Sequence, residues 1–332
     1  MGFSFLVTGG AGFIGSHLCE LLLKEGHKVV AIDNLSTGRL ENIEHLRPDP
    51  DFLFVRETIN NSLVLDRLAS ESQIIVHLAA AVGVKLIVED PVHTIRTNIM
   101  GTEAVLNAAN RYGCKVLIAS TSEVYGKGVQ IPFQEGDDRL MGPTSHSRWS
   151  YAASKAIDEF MGLAFFNQFG LPVIITRLFN TVGPRQVGQY GMVVPRLIRQ
   201  ALLGETLTVF GDGLQSRCFA DVNDVTAALL QLALHPQAVG DVFNIGTTDE
   251  VTILQLANRI LHLTESGSHI QFIPYSEAYA PGFDDMRRRV PSIQKIRDLI
   301  GYAPKYSLDE TLKRIIDYEL LKLQTRPDAV RP

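Results

Sequence analysis

Apolar residues along the first 180 positions come in short unbroken runs rather than in alternation. Phe3–Thr8, Lys28–Asp33, Gln73–Ala80, Lys115–Ser120 and Pro172–Leu178 each read as a strand, and the continuous run Val29–Ile32 as one buried on both faces. Between them, apolar positions recur at helical spacing over about Ile14–Lys24, Pro91–Tyr112 and Ser150–Gln168. This alternation predicts a doubly wound parallel sheet, because a parallel strand pair needs a crossover long enough to hold a helix. After about Asn180 the rhythm changes. Gly183-Pro184, Gly188, Gly191, Gly204 and Gly211-Asp212-Gly213 punctuate shorter elements. A helix near Asn223–Leu234 intervenes, and Asp241–Gly246 reads as a strand returning to the sheet. Helices near Ile253–Leu263, Ser292–Ile300 and Leu308–Leu323 follow, and Arg326–Pro332 reads as a frayed tail. The expected division is 1–180, with a returning segment at about 221–248, and a smaller lobe from 181–220 and 249–325.

Composition narrows the class. With 332 residues, 45% hydrophobic and 20% charged, the chain reads as an ordinary soluble α/β protein with one large core or two joined lobes. A net charge of −5 offers no basic surface for nucleic acid, so an anion must be met locally by a few Arg or Lys. The three widely spaced cysteines, Cys19, Cys114 and Cys218, form neither a disulfide framework nor a metal-ligand pattern, which fits a reducing cytoplasm. No charged leader precedes the first strand, and no apolar run approaches the roughly 18 residues that span a bilayer.

Gly9, Gly12 and Gly15 form a G-x-x-G-x-x-G turn between the first strand and the first helix. Glycines there let a pyrophosphate approach the backbone, where the helix N-terminus offers unpaired N–H groups. Asp33 ends the next strand, placed to accept hydrogen bonds from an adenosine ribose diol and to repel a 2′-phosphate. NAD is thus preferred over NADP, although Arg39 leaves an opening for the latter. The fold class is therefore Rossmann-type, with the smaller C-terminal α/β lobe left for a substrate. Leu78-Ala79-Ala80 ends a further strand with small residues that suit a cofactor passing close by, and the other cofactor candidates along the chain are Phe13, Ile14, Asn34, Ser36, Thr37, Gly38, Ile59, Asn98 and Ser120.

Tyr151 and Lys155 lie four apart and share a helix face. A phenol with a reference pKa of about 10 is a poor base, but an ammionium and a bound nicotinamide cation both favour its phenolate. Upstream, Thr121-Ser122-Glu123 ends a strand with two hydroxyls and a carboxylate.

Together these features resemble the extended short-chain dehydrogenase/reductase family, in its nucleotide-sugar branch. The resemblance covers essentially the whole chain and includes Arg177-x-Phe-Asn180, Gly183-Pro-Arg185 and Arg217-Cys-Phe219. It implies a catalytic Tyr151–Lys155 pair that also contacts NAD, and Thr121 near the substrate. Asn180 and Arg217 would contact a diphosphate. Thr208 to Phe210 would form the base-binding edge, with Arg185 and Val194 also at the substrate, and the protein would be a homodimer packed through the helices near 91–112 and 150–168. Within the branch, Thr121-Ser122-Glu123 is similar to the UDP-glucuronate decarboxylases, including UDP-xylose synthases. The 4-epimerases usually carry Ser or Ala where Glu123 stands. Arg148-Trp149-Ser150-Tyr151 and the segment from Gly282 to Ser292 support the same choice, with Arg289 as the arginine that reaches the active site.

The implied reaction oxidises C4 of UDP-glucuronic acid. The 4-ketone is β to the C6 carboxylate, so CO₂ leaves through a stabilised enolate, giving UDP-xylose or a released UDP-4-keto-pentose. Glu123 either positions a water or repels the ground-state carboxylate, and Arg289 either clamps that carboxylate or serves C5 protonation. Three departures keep a UDP-sugar 4-epimerase as the alternative: Glu57-Thr58-Ile59 in the adenine segment, Phe283, and the Val82–Lys85 segment. Lys85 is either a substrate contact or a solvated lysine. A non-catalytic NAD(H)-sensing protein is a more distant alternative. His17 reads as a packing residue, His77 as a satisfied core histidine, and Asp158 with Glu159 as a solvent-facing pair.

Overall fold

A computed structural model describes residues 2–83, 90–188, 192–278 and 286–325. The expectations for Lys85, Phe283 and the 326–332 tail lie outside these residues.

The first strands are β1 (Ser4–Thr8), β2 (Lys28–Ile32), β3 (Phe52–Val55) and β4 (Ile74–His77). They are followed by β5 (Lys115–Thr121), β6 (Val173–Leu178), β7 (Thr181–Val182), β8 (Leu207–Phe210), β9 (Ser216–Cys218), β10 (Ala220–Asp221), β11 (Asp241–Ile245), β12 (Glu250–Thr252), β13 (Ile270–Ile273) and β14 (Arg288–Arg289). The main helices are α1 (Phe13–Lys24), α2 (Ser62–Ser70), α3 (Pro91–Tyr112), α4 (Arg148–Phe169), α5 (Val193–Leu202), α6 (Val222–Leu234), α7 (Ile253–Leu263), α8 (Gln294–Ile300) and α9 (Leu308–Thr325).

Among the described residues a seven-stranded sheet runs in the order β11-β6-β5-β4-β1-β2-β3, parallel throughout. Phe5 pairs with both Val29 and Ile74. The strand order reverses between β1 and β4, so their carboxyl ends open the crevice in which such sheets bind ligands. Strand side chains alternate faces, which explains the unbroken apolar runs. Phe5 and Val7 enter one core with Leu18 and Leu22 of α1 and Leu229 of α6. Leu6 enters another with Leu65 of α2 and Val105 of α3. A third core joins Leu197 and Ile198 of α5 to Val209, Leu256 and Leu312. The returning strand is β11, on the sheet edge beside β6.

Asp158 and Glu159 are not solvent-facing, contrary to the sequence expectation. Asp158 has 0% and Glu159 1% exposure. Their helix is wedged between the sheet and α3, and each carboxylate has an internal cation. Glu159 takes a two-pronged hydrogen bond from Arg177 Nε and Nη2 at 3.0 and 2.9 Å and also bonds Arg139 and Ser120. Asp158 accepts from Lys155 Nζ at 2.7 Å.

Candidate active site

The Gly-rich turn begins where β1 ends. Gly9 adopts φ +70°, and a Cβ there would stand 2.9 Å from Ala79 N, so this position requires glycine. A Cβ on Gly15 would lie 2.2 Å from Gly9 O, so glycine also permits α1 to start against the turn. Gly12 caps α1 without any side-chain cap, leaving helix N–H groups facing the crevice.

The Asp33 carboxylate is fixed by Ala11 N at 3.1 Å and Leu35 N at 2.8 Å, and Gly38 lies directly against it. Asn34 bonds Ser36 N, and Thr37 is half-buried. Phe13, Ile14, Leu78, Ala79 and Ala80 are partly exposed around the crevice. Ile59 sits beneath Gly101. These features suit a dinucleotide: an open helix N-terminus for the pyrophosphate, and a fixed carboxylate at the end of β2. Two expected contacts are otherwise engaged. Asn98 holds Ala81 N and Ser154 Oγ, and the Ser120 hydroxyl donates to Glu159.

Tyr151 and Lys155 arise from the inner face of α4, at 8% and 2% exposure. The Tyr151 phenol bonds the Thr121 hydroxyl. Burial and the Glu123 carboxylate push the phenol above its usual range, while Thr121 and Arg289 pull it back. Thr121 also accepts from Glu123 N at 3.2 Å, which starts the tight turn at the end of β5 and turns Glu123 towards the site. Arg289 Nη1 lies 3.5 Å from both Glu123 Oε1 and Ser122 Oγ. Its strand β14 pairs with β9, opposite Arg217. On the other side, Phe133 N donates to Val290 O and Ser292 N to Phe133 O. Arg289 is therefore clasped between both parts of the chain. Its neighbours Arg287 and Arg288 are exposed and paired with Asp212 and Glu250.

Arg148 was not singled out as a site residue by sequence. It is 5% exposed, lies 3.8 Å from Glu123, and its guanidinium stands 5.8 Å from the Trp149 ring. Its place three residues before Tyr151, less than one helical turn, was the available signal.

The other expected substrate residues lie elsewhere. Asn180, at φ +22°, donates to Cys218 O, and Arg217 to the carbonyls of Ser216 and Met286. The Arg196 guanidinium stacks on Phe210 at 3.9 Å and donates to Thr208 O. Val194 belongs to the third core. Arg185 reaches back to α1, where it bonds Ser16 and Glu20. Arg177, by contrast, is a buried structural residue that ties Glu159, Tyr125 and Glu135 together.

A GDP-mannose 4,6 dehydratase family model matches residues 6–315. The chain is 42% identical to the UDP-N-acetyl-alpha-D-glucosaminuronate decarboxylase of Bacillus cytotoxicus, over 94% of this chain and 96% of that protein. It is 40% identical to UDP-glucuronic acid decarboxylase 1 of Danio rerio, over 94% and 72%. Among solved structures, the UDP-glucuronic acid 4-epimerase of Bacillus cereus in complex with UDP-glucuronic acid and NAD superposes with a TM-score of 0.86. Identity to it is 31%, covering 96% of this chain and 99% of that one. With this coverage by sequence and by fold, the chain belongs to the GDP-mannose 4,6-dehydratase-like group of extended short-chain dehydrogenases/reductases.

Proposed function

We propose that the protein is an NAD-dependent decarboxylase of a UDP-hexuronate, with UDP-glucuronic acid as the favoured substrate. The carrying observation is the Glu123–Arg289 contact beside Tyr151: a carboxylate and a guanidinium, both shielded, where the sugar's reacting carbons would lie. The names of the similar proteins support the same reading. When bound, NAD supplies the oxidation at C4 and the later reduction. Tyr151 accepts the 4-hydroxyl proton, and Thr121 and Ser122 hold the 4-oxygen. Arg289 meets the C6 carboxylate, and Glu123 either orders a water there or disfavours the charged ground state. The open N-terminus of α1 and Asp33 hold the dinucleotide, and Asn180, Arg217 and the β8 edge face the nucleotide of the substrate.

A UDP-glucuronate 4-epimerase is the second reading, favoured by the superposition on the Bacillus cereus enzyme. An NMR time course with UDP-glucuronic acid, run beside UDP-N-acetylglucosaminuronic acid, separates the cases. CO₂ with a UDP-pentose is expected. UDP-galacturonic acid without CO₂ would establish the epimerase, and CO₂ from the acetamido sugar alone would move the substrate to the N-acetylated class. We also infer a homodimer: α3 and α4 pack together and leave Val92, Ile95, Met100, Ile157 and Phe160 exposed. Sedimentation of Phe160→Arg against the wild type tests this. The free cysteines fit a cytoplasmic setting.

A further inference from the structure

The Lys155 ammonium donates to a carboxylate, Asp158, that is wholly shut off from solvent. Burying an ion is costly unless its partners compensate. Burial pushes the Asp158 carboxyl above the usual range, and Lys155 and Thr102 pull it back. A polar chain continues from there. His77 Nε2 lies 3.1 Å from Thr102 Oγ1, and His77 Nδ1 lies 2.8 Å from Thr8 Oγ1, which accepts from Ala79 N at 3.1 Å. Burial and the nearby Lys155 push the His77 imidazole down to about 3, so it carries no charge at neutral pH. Thr8 ends β1 and Ala79 lies two residues past the end of β4, at the rim of the dinucleotide crevice. The Lys155 contact is thus built into the floor of the site through three elements.

We propose that Asp158 is the positioning residue of the Tyr151–Lys155 pair, holding the ammonium at the floor of the site and supplying the counter-charge that sustains it while Tyr151 exchanges its proton. The proposal rests on the reading of Tyr151 as proton acceptor. Among the described residues, Tyr151 faces Asp158 on its own helix, Thr121 and Glu123 from the end of β5, and Arg289 from β14. Lys155 faces Asp158 and, from β4, His77.

Two routes from Asp158 to Tyr151 have opposite signs. Its own negative charge disfavours the phenolate. Its hold on the Lys155 charge favours the phenolate. Asp158→Asn, which keeps shape and removes charge, therefore distinguishes them. Acting through Lys155, the substitution moves the acidic limb of the kcat–pH profile up by about one unit and lowers kcat about tenfold. In a Lys155→Met background the same change has no further cost, because the pair acts as a unit. A limb that moves down or stays in place overturns the proposal, as does full additivity with Lys155→Met.

Calorimetric titration with NAD adds a readout independent of turnover. Affinity should fall about fivefold in Asp158→Asn as Lys155 loses its place, and should recover in Asp158→Glu; an unchanged affinity counts against the proposal. If Asp158→Asn does not fold, Asp158→Glu decides. It should retain the acidic limb and lose kcat, and identity with the wild type in every measurement overturns the positioning role. Failure of the underlying reading looks different: the wild type then turns over neither UDP-hexuronate, and the NAD titration alone tests Asp158.

Discussion

Glu123 and Arg289 are 166 residues apart in sequence and 3.5 Å apart in space. The contact is longer than a tight ion pair at about 2.8 Å, and it brings a carboxylate from the end of β5 against a guanidinium from β14. Replacing Glu123 by Ser should lower CO₂ release at least about 100-fold while NAD binding stays within about twofold of wild type. Unchanged CO₂ release would remove Glu123 from the mechanism.

Arg289→Lys keeps the charge and loses the planar fork. The expected result is a KM for the hexuronate raised about tenfold, with a smaller drop in kcat, measured by steady-state CO₂ release. A kcat loss with KM unchanged would assign Arg289 to the proton-transfer step instead.

Glu159 is a structural acid. Asparagine or glutamine at this site leaves Arg177 buried without its anion, and breaking such a pair costs about 3–5 kcal/mol. Glu159→Gln should therefore lower the urea midpoint clearly, whereas Arg288→Gln, which removes an exposed, solvent-screened pair with Glu250, should leave it close to wild type.

His77 makes stability depend on pH. Burial holds its folded-state value at about 3, well below the ordinary histidine value of about 6.5, so the unfolded chain binds the additional proton. The stability it contributes is present above about 6.5 and is lost as pH falls towards 3, at about 1.4 kcal/mol per pH unit. In His77→Gln the melting temperature should decline less steeply between pH 6.5 and 5 than in the wild type. Parallel curves would exclude this contribution.

Most of the parallel sheet was legible because both its faces are apolar, and the cradle because Gly9, Gly15 and Asp33 each answer a local backbone need. Strand β3 and helix α2 were not legible: β3 is a four-residue edge strand in which only Phe52 is buried, and α2 has nine residues. Helix α5 begins beside Pro195, which masks its start. Asp158 and Glu159 were misread because a charged pair on a helix normally faces water. Their cations, Lys155 and Arg177, are respectively one turn away and on another strand, and only the tertiary fold shows that both point inward. The Arg148–Glu123 approach was hidden for the same reason: sequence gives no measure of how the turn after β5 curls back over the start of α4.

The clasp around Arg289 carries a consequence for how this chain can change. The dinucleotide cradle and the proton-handling helix are written into the first half of the sequence, whereas the arginine arrives on a two-residue strand gripped by β9 and by Phe133. On the proposed reading, a few substitutions around positions 288–292 would retune which acid the pocket accepts while the first half of the chain stays unchanged. Variation within that segment is where new substrate preferences should arise first.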